Sequence, residues 1–181
     1  DLEEGTMVDI GGGSTELTSI KGGFDLAKTS IPQGSLSSFA NYVAGLMPTQ
    51  KEVNAIAQAF RELAKKEETD VYHCTQLYGI GGSIRSAAKL YGDLCNNGNR
   101  FNYLLPEHID AILNRYAEDT NAFAHEALRT LPDRIHTLIP GCVIIREAFK
   151  LCDGERLDIC KYGVREGYLA ERVLVKPVSF A

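Results

Sequence analysis

Short apolar runs broken by glycines fill the first part of the chain, and only later does the hydrophobic period lengthen. Thr6 to Ile10 is rich in β-favouring residues, the pattern resumes over Glu16 to Ile20, and a third run follows the Lys21-Gly22-Gly23 turn from Phe24 to Ile31. Runs of this length separated by turn residues predict three strands in a meander. The period then changes. Thr49 followed by Glu52 reads as a capping box opening a helix, and Val53, Ile56, Ala57, Phe60, Leu63 and Ala64 keep helical spacing behind it. Val71 to Ile80 predicts a fourth strand ending in Gly81-Gly82, and Ser83 to Tyr91 a helix starting at once. After a polar gap at Asn96 to Asn99, Ile109, Ile112, Leu113 and Tyr116 mark a further helix. Helical stretches over 122–131 and 141–152 follow it, then a fifth strand over 157–162 and a last helix over 164–174.

Three antiparallel strands followed by strand-helix units predict an α/β domain with a mixed five-stranded sheet, helices on its faces and a helical insertion. Ribonuclease-H-like domains have this order. A length of 181 residues suits one domain, residues 1–181. The first apolar run begins within a few residues of Asp1, so a partner half preceding this domain is expected.

Composition narrows the class of partner. The chain is 44% hydrophobic and 24% charged, and no apolar run approaches the roughly 20 residues of a membrane span. A net charge of -5 argues against a broad nucleic-acid surface but allows a local cationic cluster around an anion. Five cysteines without a C-x-x-C pair suit reduced, buried thiols in a cytoplasmic protein.

The densest chemistry lies in Val8 to Leu17, VDIGGGSTEL. Gly11, Gly12 and Gly13 would allow positive φ and unobstructed amides around a phosphate, with Ser14 and Thr15 adding hydroxyls. A strand follows the loop, which separates it from the P-loop and the dinucleotide fingerprint, since both of those lead into a helix. A hairpin closing over Gly11 to Ser14 pairs Ile10 with Thr15 and sets Asp9 opposite Glu16 on one face. Two like charges there are unfavourable unless a cation such as Mg²⁺ or an activated water relieves them. Alternatively, the stretch is a glycine-rich turn with solvated acids. A second glycine-rich strand end, Gly79-Ile80-Gly81-Gly82-Ser83, runs into a helix N-terminus suited to an anion, or else simply packs a helix tightly on the sheet.

DIGGGSTEL at 9–17, GIGGSIRSAAKLY at 79–91, RIHTLIPG at 134–141 and YGVREGYL at 162–169 resemble, in this order, the exopolyphosphatase/guanosine pentaphosphate phosphohydrolase family. The resemblance implies the second of two actin-like domains, with an active site in the cleft between them. It also implies Mg²⁺-dependent release of terminal phosphate from polyphosphate or of the 5′ γ-phosphate from pppGpp. Asp9 and Glu16 would be the catalytic and metal-holding carboxylates, and Gly11, Gly12, Gly13, Ser14, Thr15, Gly81, Gly82 and Ser83 the phosphate contacts. The family's proposed base lies in the preceding domain. A homodimer is a further expectation.

Two positions depart from the family pattern. Ser37 stands where an arginine is common, and His136 where an acid is common, which bears on substrate preference. Arg85, on the first turn of its helix, is read as pairing with a neighbouring acid or else as reaching the ligand, and His73, His108, His125 and His136 as surface or core histidines without metal-ligand spacing. Other readings are the nucleotide-binding half of a sugar- or acetate-kinase-like enzyme, with an adenine pocket near Gly79 to Arg85, and a non-catalytic phosphate-sensing or assembly module.

Overall fold

The computed structural model describes residues 4–67, 70–95, 98–163 and 169. The helix expected over 164–174 lies outside them except for Leu169. Strands β1 (Glu4–Ile10), β2 (Thr15–Lys21) and β3 (Phe24–Ile31) form the meander, and helices α1 (Ser35–Tyr42) and α2 (Gln50–Ala64) follow. Next come β4 (Gln76–Ile80), α3 (Gly82–Cys95), β5 (Tyr103–Leu104), α4 (Pro106–Glu118), α5 (Thr120–Thr130), α6 (Ile135–Leu151) and β6 (Arg156–Ile159). The sheet order is β3-β2-β1-β4-β6-β5. β1 is antiparallel to β2 and parallel to β4, and β4 is parallel to β6.

The sheet therefore has six strands rather than five, the extra one being the two-residue edge strand β5 paired with β6. The fourth strand is also shorter than its apolar run, because Asp70–Tyr72 turns into a 3-10 helix before β4 begins. Of the five cysteines, all free, only Cys142 and Cys152 are buried.

One face of the sheet is closed by the core. Val8, Leu17, Leu77 and Leu157 are fully buried. Asp9 and Glu16, which alternate with Val8 and Leu17, are half-buried. α6 is the helix around which the others assemble, touching α1, α2, α3, α4 and β1. Its sequence is apolar nearly all round, as a helix buried on every side requires. α2 instead buries a stripe, with Ile56 and Phe60 essentially sealed, each worth roughly 1.5–3 kcal/mol of burial. Thr49 and Glu52 close its N-terminus as a capping box.

α1 is the element that the periodicity does not announce, and it sets the position of the glycine loop. The backbone N–H of Ser35 donates to the Gly11 carbonyl at 3.0 Å, and those of Leu36 and Ser37 donate to the Gly12 carbonyl at 2.9 and 2.8 Å. The Ser37 hydroxyl reaches the Gly13 carbonyl at 3.2 Å. So close an approach needs Gly34: a Cβ there would stand 2.6 Å from the Gly11 oxygen and the Gly12 carbonyl carbon. By contrast, a Cβ on Gly13 would meet nothing within 4 Å. Gly34→Ala should therefore cost about 1–3 kcal/mol, since backbone rather than a side-chain tip must give way. Gly13→Ala should change stability by no more than about 0.5 kcal/mol. Thermal or urea unfolding of the two variants checks both expectations.

Candidate functional site

The α1 clamp decides which way the glycine loop faces. No peptide among the described residues is cis, and in a trans peptide the C=O and N–H point to opposite sides. With the carbonyls of Gly11, Gly12 and Gly13 all drawn toward α1, the N–H groups of Gly12, Gly13 and Ser14 point away from it. None of the three has an acceptor among the described residues. Three successive free amides form a concave donor set suited to phosphate oxygens. The expected positive φ is not how this comes about, because none of Gly11, Gly12 and Gly13 adopts it. Gly81 is the site glycine that does, at φ 104°. A Cβ there would stand 2.9 Å from the Ile10 carbonyl oxygen and 3.1 Å from Asp9 Oδ1.

Gly81 and Gly82 follow β4 as Gly11 follows β1, so both glycine turns leave the same end of two adjacent parallel strands. Crevices off the carboxyl ends of such strands are where open α/β sheets bind ligands. Here the crevice is a cavity of about 560 Å³ lined by Asp9, Gly11, Gly12, Ser35, Gly82, Ser83, Arg134 and His136, among others. The amides of Gly82, Ser83 and Ile84 find no acceptor among the described residues, and no side chain caps α6. The α3 N-terminus thus offers unspent donors to this space, and the first turns of α3 and α6, the positive ends of their dipoles, both line it. The Arg134 guanidinium adds a full charge, lying so close to Gly82 that a Cβ there would stand 2.7 Å from its Cζ. It makes no ion pair among the described residues, whereas Arg61, Arg115 and Arg156 each face a carboxylate.

The register predicted for the hairpin is the one found: Ile10 pairs with Thr15, and Asp9 with Glu16. Burial, then the charge of Glu16, push the Asp9 carboxyl above its ordinary pKa, and the positive field of Arg85 partly offsets them. Arg85 is exposed and forms no ion pair among the described residues, so the expected structural pairing is not found. Glu16 is held in place by hydroxyls: Ser14 Oγ donates to its Oε1, and Ser30 Oγ donates to the same oxygen at 3.1 Å. With its proton engaged by Glu16, Ser14 orients that carboxylate.

Thr15 is separated from this group. It is fully buried, and its hydroxyl donates to the Gln33 carbonyl at 2.8 Å, tying β2 to the turn before α1. Gly79 is likewise a packing residue, because a Cβ there would stand 2.9 Å from Ile84 Cδ1. Arg134, His136 and Thr137 come to the cavity unannounced by spacing. His136 thus proves to be a cavity residue, not a surface or core histidine. Among the described residues, no group of three or more His, Cys, Asp or Glu side chains could cage a metal. No helix among them is long and apolar enough to cross a membrane.

Comparison with known proteins agrees with this arrangement. The Ppx/GppA phosphatase family matches over residues 2–176. A crystal structure of the Aquifex aeolicus Ppx/GppA family member superposes with a TM-score of 0.76 at 24% identity, covering 94% of this chain and 56% of that one. An exopolyphosphatase from Cytophaga hutchinsonii superposes with a TM-score of 0.75 at 17% identity, covering 93% and 56%. The chain thus spans little more than half the length of these structures. Comparison with curated protein sequences returns no match. Sheet order and superposition give the actin-like fold, and the match over nearly the whole sequence establishes that this chain belongs to the Ppx/GppA phosphatase family.

Proposed function

We propose that this domain holds the terminal phosphate of inorganic polyphosphate or pppGpp for hydrolysis, in a cleft shared with a preceding domain. The observation that carries the proposal is one cavity that brings Gly11 and Gly12 of the glycine loop, the free amides at the start of α3, Arg134 and His136 together with Asp9, whose hairpin partner is Glu16. Phosphoryl transfer asks for charge neutralisation and an in-line water more than for a covalent nucleophile, and these donors meet the first demand. Gly12, Gly13 and Ser14 amides would bind the terminal phosphoryl oxygens, and Gly82 and Ser83 the next phosphate. Glu16, fixed by Ser14 and Ser30, would orient the attacking water.

The carboxylate pair fits Mg²⁺, which prefers one or two protein carboxylates and completes its shell with water and phosphate oxygens rather than a protein cage. Asp9 and Glu16 would hold it. The cation would supply charge neutralisation between phosphate and carboxylates. Until then the pair destabilises the hairpin that carries it.

A second cavity, of about 260 Å³, lies along α3 between Arg85, Lys89, Phe101 and Ile159. Its apolar floor could take the base of pppGpp, or the adenine of the kinase-like reading. Phosphate release without an acceptor substrate separates the two.

Asp9→Asn should raise stability in EDTA. A carboxyl whose pKa is raised on folding loses stability as pH climbs from the unfolded value, 3.8, through the folded one. The variant should therefore match wild type below that window. Above it the gain should be a few tenths to about 1 kcal/mol, roughly 1–3 °C in Tm. Millimolar Mg²⁺ should raise the Tm of wild type and not that of the variant. Thermal melts against pH and Mg²⁺ read both effects. Glu16→Ala should cut Mg²⁺-dependent phosphate release from polyphosphate and pppGpp by the full-length protein about 100-fold or more. No release from either substrate by wild type would overturn the proposal.

A further inference from the structure

His136 is on the first turn of α6 and lines the same cavity as Asp9, Gly12, Gly82 and Arg134. Its ring stands edge-on to Phe39 of α1, with centroids 5.1 Å apart at 62°. That contact fixes the plane of the imidazole against a helix that carries no charged residue. Neither ring nitrogen has a hydrogen-bond or ion-pair partner among the described residues, although the residue is half-buried. The other three histidines differ. His108 is stacked on Tyr91, with its Nδ1 accepting from the Leu105 N–H; His73 stands 3.6 Å from Asp153; His125 is exposed and remote from the cavity.

We infer that His136 is a ligand of the terminal phosphoryl group and binds it as imidazolium, so that the cavity's hold on a phosphate dianion depends on pH. The inference rests on reading this cavity as the phosphate site. The charged groups that share the cavity with the ring are Asp133 and Arg134 on the turn before α6 and Asp9 at the end of β1. A bound dianion beside the ring favours a proton on it. Histidine is the side-chain type whose proton exchanges near neutral pH, so proton and anion binding become reciprocal. Nothing is transferred covalently: the imidazole takes one proton from solvent and donates an N–H to a phosphoryl oxygen. Pro140 adds to the local geometry, because it has no N–H to give the His136 carbonyl four residues earlier.

The test is an NMR titration of the four imidazoles from pH 5 to 8.5, with and without sulfate, which stays a dianion throughout this range. Sulfate should raise the midpoint of His136 by about one unit and leave His73, His108 and His125 unmoved. Sulfate affinity should correspondingly be roughly tenfold higher at low than at high pH, a ratio that His136→Gln brings close to one. The wild-type midpoint needs no variant, so a folding defect in the glutamine protein would not spoil the test. Sulfate that moves the Gly12 and Gly82 amide signals but not the His136 midpoint would overturn this inference alone. Sulfate that moves neither would overturn the phosphate cavity as well.

Discussion

Three carbonyls held by one short helix are the constraint from which the rest of the site follows. The N-terminus of α1 spends its free amides on Gly11 and Gly12, and Ser37 spends its hydroxyl on Gly13. A helix start would otherwise be an anion site in its own right. Here the donors are relayed, since every carbonyl drawn toward α1 turns the next N–H away from it. This accounts for the loop's glycines without positive φ. Packing within the chain does not demand glycine at position 13, where a Cβ would meet open space. Ser37 ties α1 to the loop, its hydroxyl donating to the Gly13 carbonyl.

The carboxylate pair shows the opposite economy. Asp9 and Glu16 face each other across a hairpin whose register is fixed by alternation and by a four-residue loop. Moving either residue by one position would turn every neighbouring side chain to the wrong face. The like charges are thus held together by the folding of β1 and β2. Their repulsion, with the burial of Asp9, is a cost that Arg85 offsets only in part, the pattern expected where strain is kept for function.

Much of this was legible in the sequence because it is local. Hairpin length alone set Asp9 against Glu16, and the 3.6-residue period with a capping box located α2. What stayed hidden depends on tertiary contact. α1 is short, and its serines carry no amphipathic stripe. β5 has two residues and exists only because β6 lies beside it. Pro140 made the first turns of α6 look non-helical, although burial on all sides holds the helix through the proline, and with those turns Arg134 and His136 went unplaced. Thr15 shows the converse: a hydroxyl within a phosphate motif reads as a ligand, and only the structure reveals its buried bond to the Gln33 carbonyl.

The most direct test of the account is an amide NMR titration with pyrophosphate, following the backbone N–H signals of the glycine loop. The account predicts that Gly12, Gly13 and Ser14 shift together and saturate at one concentration, and that Gly34→Ala, by disturbing the α1 clamp, abolishes the response in a protein that still folds. Loop signals that stay still while pyrophosphate binds elsewhere would contradict it.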